Sequence, residues 1–212
     1  MNFNSSNKNL SYKGDLINGL RNGKGTLYFK DGRIIYEGEF KNDEFEGTGK
    51  FYYSDGNYYI GQFKNGLKHG KGIEYYKNGS ILYEGDFING LMEGEGIYTY
   101  SKTASKYEGF FKGGKRHGKG IYYYGNGNIF DGEFENGDMK YGTFTFLNDD
   151  RYEGQFVNGK FGGKGKYFYS NGDMYDGEWS DDKKNGIGKY VLNDGSEIEG
   201  EWKDDFPVKK EN

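Results

Sequence analysis

The chain has no cysteine, one proline (Pro207), one alanine (Ala104) and two histidines in 212 residues. Without thiols there are no disulfides, no thiolate metal sites and no cysteine nucleophile, which fits a reducing compartment. No apolar run approaches the roughly 20 residues that a membrane-spanning helix needs. The first eleven residues are rich in Asn, Ser and Lys and lack the apolar core of a secretory signal. A soluble, cytoplasmic protein is expected. Asn4-Ser5-Ser6 and Asn9-Leu10-Ser11 match the glycosylation pattern, but without a secretory signal they read as chance matches. Neither sign of charge dominates: 29 Lys and Arg against 33 Asp and Glu leave a net charge of -4, no global push toward nucleic acid or anionic lipid.

What the chain has in abundance is glycine (39), tyrosine (22) and phenylalanine (17), and they recur at fixed positions. One phrase is repeated: an aromatic, a variable or acidic residue, a glycine, another residue, then a bulky apolar one. It opens at Tyr12, Tyr36, Tyr59, Tyr83, Tyr107, Phe130, Tyr152 and Tyr175, with a degenerate ninth start at Ile198, every 22 to 24 residues. A period of that length marks units that cannot bury an apolar face alone and must stack on their neighbours. Function is then to be sought on a surface. The expected organisation is an N-terminal tail at 1–11, a repeat domain at 12–204 with eight repeats and a partial ninth, and a short C-terminal tail at 205–212, both tails disordered.

Within Tyr83-Glu84-Gly85-Asp86-Phe87 apolar and acidic residues alternate, and period two means a strand. The first, third and fifth positions share one face; the opposite face, mostly Glu, Asp or Gln, reads as a solvated acidic surface. The recurrent third-position glycine lies between two large side chains, so an aromatic ring laid over bare backbone is expected there. A second strand follows each G-x-G, again apolar at alternate positions (Leu27/Phe29, Phe51/Tyr53, Tyr98/Tyr100, Tyr122/Tyr124, Phe144/Phe146, Tyr167/Tyr169), with Glu74 as an exception. Asp31-Gly32, Asp55-Gly56, Asn78-Gly79, Asn126-Gly127, Asn171-Gly172 and Asp194-Gly195 are read as type I′ hairpin turns that reverse the chain into the next repeat. The fold expected is all-β, an elongated single-layer antiparallel sheet of consecutive hairpins, a twisted rod or groove advancing roughly 10 Å per repeat.

Tyr107-Glu108-Gly109, the segment Lys112-Gly113-Gly114-Lys115-Arg116-His117-Gly118-Lys119-Gly120 and the Asn126-Gly127 turn closely resemble the MORN (membrane occupation and recognition nexus) repeat, over nearly the whole chain. Two places depart from the pattern. The sixth repeat is short and has Lys140-Tyr141-Gly142 in place of G-x-G, and the fourth ends in Ser101 to Lys106 without an Asn-Gly turn; a bend or irregular hairpin is expected at both. The resemblance implies a tethering or scaffolding protein, associated with cytoskeleton, axoneme or membrane. It also implies a partner segment or helix along the aromatic groove, dimerisation through terminal repeats, and, as proposed for the family, phospholipid binding.

Catalysis is not expected. His69 and His117 occupy one repeat position without cysteine partners, a poor zinc set, and Gly70-Lys71-Gly72 and Gly118-Lys119-Gly120 lack the following helix of a phosphate loop, reading instead as strand-entry glycines. No metal, cofactor or nucleic acid is expected. The candidate partner-binding residues are Phe87, Tyr98, Tyr100, Phe111, Tyr122 and Tyr124. For acidic phospholipid, the relevant net charge is that of the eight residues after each fifth position. It is positive in repeats one, three, five and seven, negative in two, four and six, and zero in eight. Such alternation reads as compensation between neighbours. The fifth-repeat loop, with Lys112, Lys115, Arg116 and Lys119, is the candidate if lipid binds. Trp202 and Phe206 are the candidate dimer contacts, at a terminal sheet edge.

Overall fold

The structure is a computed structural model that describes residues 9–209. Of the expected tails, 1–8 and 210–212 lie outside the described residues, as does the Asn4 glycosylation pattern, whereas Leu10 and Ser11 belong to the first strand and Phe206 and Pro207 to the last. The described chain is all-β, an antiparallel sheet in which strands adjacent in sequence pair with each other. Its contacts divide into two compact units, one of residues up to Ser101 with Phe111–Gly114, the other of Lys102–Phe110 with the residues from Lys115 onward. The first holds β1 (Leu10–Ile17), β2 (Leu20–Phe29), β3 (Ile34–Lys41), β4 (Glu44–Tyr52), β5 (Tyr58–Lys64), β6 (Leu67–Tyr75), β7 (Ile81–Ile88) and β8 (Leu91–Tyr100). Strand β9 (Ser105–Lys112) contributes to both. The second holds β10 (Lys115–Tyr123), β11 (Ile129–Glu135), β12 (Asp138–Thr145), β13 (Arg151–Val157), β14 (Lys160–Phe168), β15 (Met174–Ser180), β16 (Lys183–Val191), β17 (Glu197–Lys203) and β18 (Phe206–Pro207).

Two kinds of turn alternate, and their assignment corrects the sequence reading. The type I′ turns are the two-residue loops after each fifth position. Asn18-Gly19, Asn65-Gly66, Asn89-Gly90, Asn136-Gly137 and Asn158-Gly159 all have positive φ at both residues, as do the Asp pairs 181-182 and 204-205. Asp31-Gly32 and its equivalents belong to three-residue loops with positive φ at the glycine alone. There Gly32 N–H donates to Phe29 O at 3.0 Å and Phe29 N–H to Arg33 O at 2.9 Å, a type I turn closed by a glycine bulge. The Asp31 side chain accepts from Arg33 N–H at 3.1 Å, which holds the acid in a right-handed conformation and leaves only glycine left-handed.

The G-x-G is likewise inside a strand, not at its entry. Gly38 pairs with Gly49, but Glu39 pairs with Glu46, so Gly47 and Thr48 form a bulge. The left-handed φ of 60° at Gly47 requires glycine. Glu39 Oε1 then accepts the Thr48 N–H at 3.0 Å. Gln62, Gln155 and Glu178 take the N–H of Lys71, Lys164 and Ile187 in the same way. The acidic face is therefore part of the backbone hydrogen bonding as well as a solvated surface.

The core is a ladder of rings. Tyr36, Tyr59, Tyr83, Tyr107, Tyr152 and Tyr175 are fully buried, as is Phe130. Each lies over a cross-strand glycine pair: a Cβ on Gly49 or Gly72 would run into the ring of Tyr36 or Tyr59. The tyrosine hydroxyl donates to the carbonyl three residues on, as Tyr36 to Glu39 at 2.9 Å and Tyr152 to Gln155 at 2.8 Å. Within each unit such rings meet two fifth-position rings edge-on, their own and that of the next repeat, as Tyr36 touches Phe40 and Phe63, both with centroids 5.1 Å away. No repeat among the described residues covers Leu16, which is 58% exposed.

Candidate functional site: aromatic tracts on one face

Nine residues after each opening aromatic stands one of a series that sequence reasoning did not recognise: Arg21, Phe45, Lys68, Met92, Arg116, Met139, Phe161 and Lys184, of which Arg116 alone was a candidate, for lipid. The constant spacing of nine was the available signal. Phe45 and Phe161 stack flat on Tyr36 and Tyr152, with centroids 4.0 and 3.8 Å away. The cations lie over rings: Arg116 is 5.1 Å from the centroids of Tyr122 and Phe134 and 5.9 Å from Tyr107. Lys184 is 4.9 to 5.9 Å from Tyr169, Tyr175, Tyr190 and Trp202. Burial among these rings depresses the Lys184 ammonium pKa, with Asp205 opposing the shift.

In the first unit the second-strand residues of the same face are Leu27/Phe29, Phe51/Tyr53, Glu74/Tyr76 and Tyr98/Tyr100. The Glu74 exception has a partner: Lys68 and the Tyr53 hydroxyl both reach its carboxylate at 2.5 Å. Tyr98 and Tyr100 are half-buried, their centroids 4.6 Å apart. Phe87 and Phe111, expected as partner-binding rings, are 1% and 4% exposed. They are core residues, sealed by the rings of Tyr59 and Tyr83. Of these four rings, Tyr98 and Tyr100 reach the surface and Phe87 and Phe111 do not.

In the second unit the tract is longer. Tyr122, Tyr124, Phe144, Phe146, Tyr167 and Tyr169 are all half-buried and follow one another at centroid distances of 4.5 to 5.8 Å. An open cleft of about 560 Å³ lies along this tract, bounded by rings, Met139, Gly159 and the carboxylates of Asp182 and Asp205. Burial, aided by the charge of Asp205, pushes the Tyr169 hydroxyl up to about 12. Tyr167 donates to Asp150 at 2.8 Å, and its pKa is raised by burial first and by that carboxylate second.

Of the candidate lipid residues, Lys112 ends β9, Lys115 and Arg116 open β10, and Lys119 pairs with Glu133 of β11. Lys112, Lys115 and Lys119 are exposed and have no ion pair among the described residues. Arg116 is turned onto the aromatic face and donates to Gly137 O at 2.6 Å. Adjacent repeats do exchange charge: Arg21 binds Asp43 at 3.0 Å, Lys160 binds Asp181 at 2.9 Å and Lys183 binds Asp204 at 3.0 Å. At the C-terminal edge Trp202 is 4% exposed, its indole N–H donating to Gly188 O at 3.0 Å, and so is core. Phe206 is 73% exposed.

Hairpins of 22 to 24 residues, each anchored by an aromatic ring over a glycine pair, define an all-β repeat protein whose accessible chemistry lies on a face. Residues 12–32, 36–58, 59–81, 83–103, 107–129, 152–174 and 175–197 each match the MORN repeat, and the chain belongs to that family. The unmatched stretch between 129 and 152 is the short sixth repeat. Its strands β11 and β12 nevertheless pair as the others do, Phe130 opposite Phe144 and Gly132 opposite Gly142. No curated protein matches the chain. Among solved structures it is similar to the SAS-4 (dCPAP) TCP domain of Drosophila melanogaster in complex with a proline-rich motif of Ana2 (dSTIL). That similarity has 13% identity, covers 84% of this chain and 83% of that one, and has a TM-score of 0.37, too loose for a functional argument. No helix among the described residues is long and apolar enough to cross a membrane.

Proposed function

We propose that the chain is a non-catalytic scaffold that holds a protein partner on its aromatic face, with Tyr122 and Tyr124 in the second unit and Tyr98 and Tyr100 in the first as contact rings. The half-buried run from Tyr122 to Tyr169 along an open cleft is the observation that carries this reading. Rings that only filled a core would be sealed like Phe87 and Phe111. Tyrosine offers a rigid apolar surface with a polar tip, the composition that partner contacts favour. The partner we infer is a cytoskeletal, axonemal or membrane-associated protein.

Affinity purification of the tagged full chain from its own cells tests this. Tyr122→Ala/Tyr124→Ala and Tyr98→Ala/Tyr100→Ala variants are run beside it, each checked for an unchanged unfolding transition. A stoichiometric protein lost with either folded variant supports the scaffold. Recovery with acidic phospholipid vesicles alone, abolished by Lys112→Glu/Lys115→Glu/Lys119→Glu and untouched by the tyrosine changes, replaces it with a membrane tether.

A further inference from the structure

Resting on that scaffold reading, we infer that the cleft of the second unit takes a basic segment, one that lays an arginine or lysine side chain over its rings between Asp182 and Asp205. The first support is internal precedent. Every first-strand aromatic faces a residue nine positions on, and where that residue is Arg21, Lys68, Arg116 or Lys184 its cation lies over rings. The face of this fold is thus a receptor for cations that the chain fills itself in four repeats. In the sixth and seventh repeats Met139 and Phe161 hold the position, and it is along these repeats that the cleft opens.

The second support is charge. Among the described residues lining the cleft, two are aspartates and none is a cation. Asp182 accepts the Phe161 N–H at 2.7 Å and Asp205 the Lys184 N–H at 2.9 Å, but neither has an ion pair, and both are exposed at the rim. Their equivalent in the first repeat pair, Asp43, accepts the Arg21 N–H in the same way and is bound by the Arg21 guanidinium as well. A guanidinium from a partner would complete at Asp182 the arrangement that Arg21 makes at Asp43. Arginine suits the place best, because its plane stacks on a ring while its edge still donates to a carboxylate.

Selection of a random twelve-residue phage-displayed library on the full chain tests this. The Asp182→Asn/Asp205→Asn and Tyr124→Ala/Tyr169→Ala variants serve as comparisons. Both aspartates have positive φ, 67° and 74°, which asparagine tolerates, and its side-chain carbonyl can still accept the same N–H. The acid variant therefore keeps the fold and loses only charge. The expected result is peptides that need Tyr124 and Tyr169 and are enriched in Arg or Lys over the input library. A synthetic copy should bind about tenfold more weakly to the acid variant, and about tenfold more weakly again when its arginine is replaced by glutamine. Peptides that need the tyrosines but show no basic enrichment would overturn this inference and leave the scaffold reading intact. Absence of any tyrosine-dependent peptide would count against both.

Discussion

The glycine pair beneath each tyrosine sets the tightest constraint on any single position. A Cβ on Gly72 meets the Tyr59 ring and hydroxyl in a fully buried place where the ring cannot retreat. Gly72→Ala should therefore cost about 3 kcal/mol in urea unfolding. Gly66, with φ of 76° and nothing within 4 Å of its would-be Cβ, should cost only about 1 kcal/mol as alanine. The tyrosine hydroxyl matters less than its ring. Tyr83→Phe loses the bond to Asp86 O, about 1 kcal/mol, while Tyr83→Ala empties the site and should cost about 4 kcal/mol. The sixth repeat already carries the first change, with Phe130 fully buried in the tyrosine position. Ring over glycine was legible from sequence because an aromatic and a glycine alternate on one strand face. Which rings remain accessible was not. Phe87 and Tyr98 share a face in the sequence pattern, and burial is decided by the preceding repeat's ring, which covers Phe87.

At the scale of the hairpin, sequence reading found the two strands of each repeat but left the last strand, Phe206–Pro207, in a tail and mistook the turns, because Asp-Gly serves both a type I′ turn and a type I turn closed by a glycine bulge. Hydrogen bonding separates them, and no dipeptide encodes it. The bulge at G-x-G has the same character: its capping residue, one before the fifth position, looks like ordinary surface acid. Glu39→Ala would leave the Thr48 N–H without its carboxylate. About 1 kcal/mol should be lost, and hydrogen exchange should speed up at that amide before others in β4. The fifth repeat has Phe110 in this place, 46% exposed and with no oxygen to offer. That substitution has no compensating contact that explains it.

For the molecule as a whole, the buried tyrosines fix how stability depends on pH. Burial, to which nearby carboxylates add, pushes Tyr169 and Tyr175 up to about 12 and raises Tyr36, Tyr59, Tyr83 and Tyr152 further. Unfolded tyrosines ionise near 10, so above that pH the native state holds more protons than the unfolded one. The tyrosine contribution is complete below pH 10 and is lost as the pH climbs toward 12. Lys184, lowered by burial, acts in the opposite direction, but it is one group against many tyrosines. Urea midpoints should fall steeply between pH 10 and 12 and little between pH 7 and 9; a flat profile to pH 12 would contradict the ring ladder as the source of stability.

We place the protein partner on the aromatic face of the second unit and not on its opposite face. A photo-crosslinking residue placed in cells tests this most directly, as Tyr169→p-benzoylphenylalanine on the aromatic face and Tyr141→p-benzoylphenylalanine on the other. Tyr141 stands opposite Glu133 and is 58% exposed, so it samples solvent at least as freely. A discrete protein adduct is expected from position 169 and none from 141. Adducts from 141 alone, or from neither position, would contradict it.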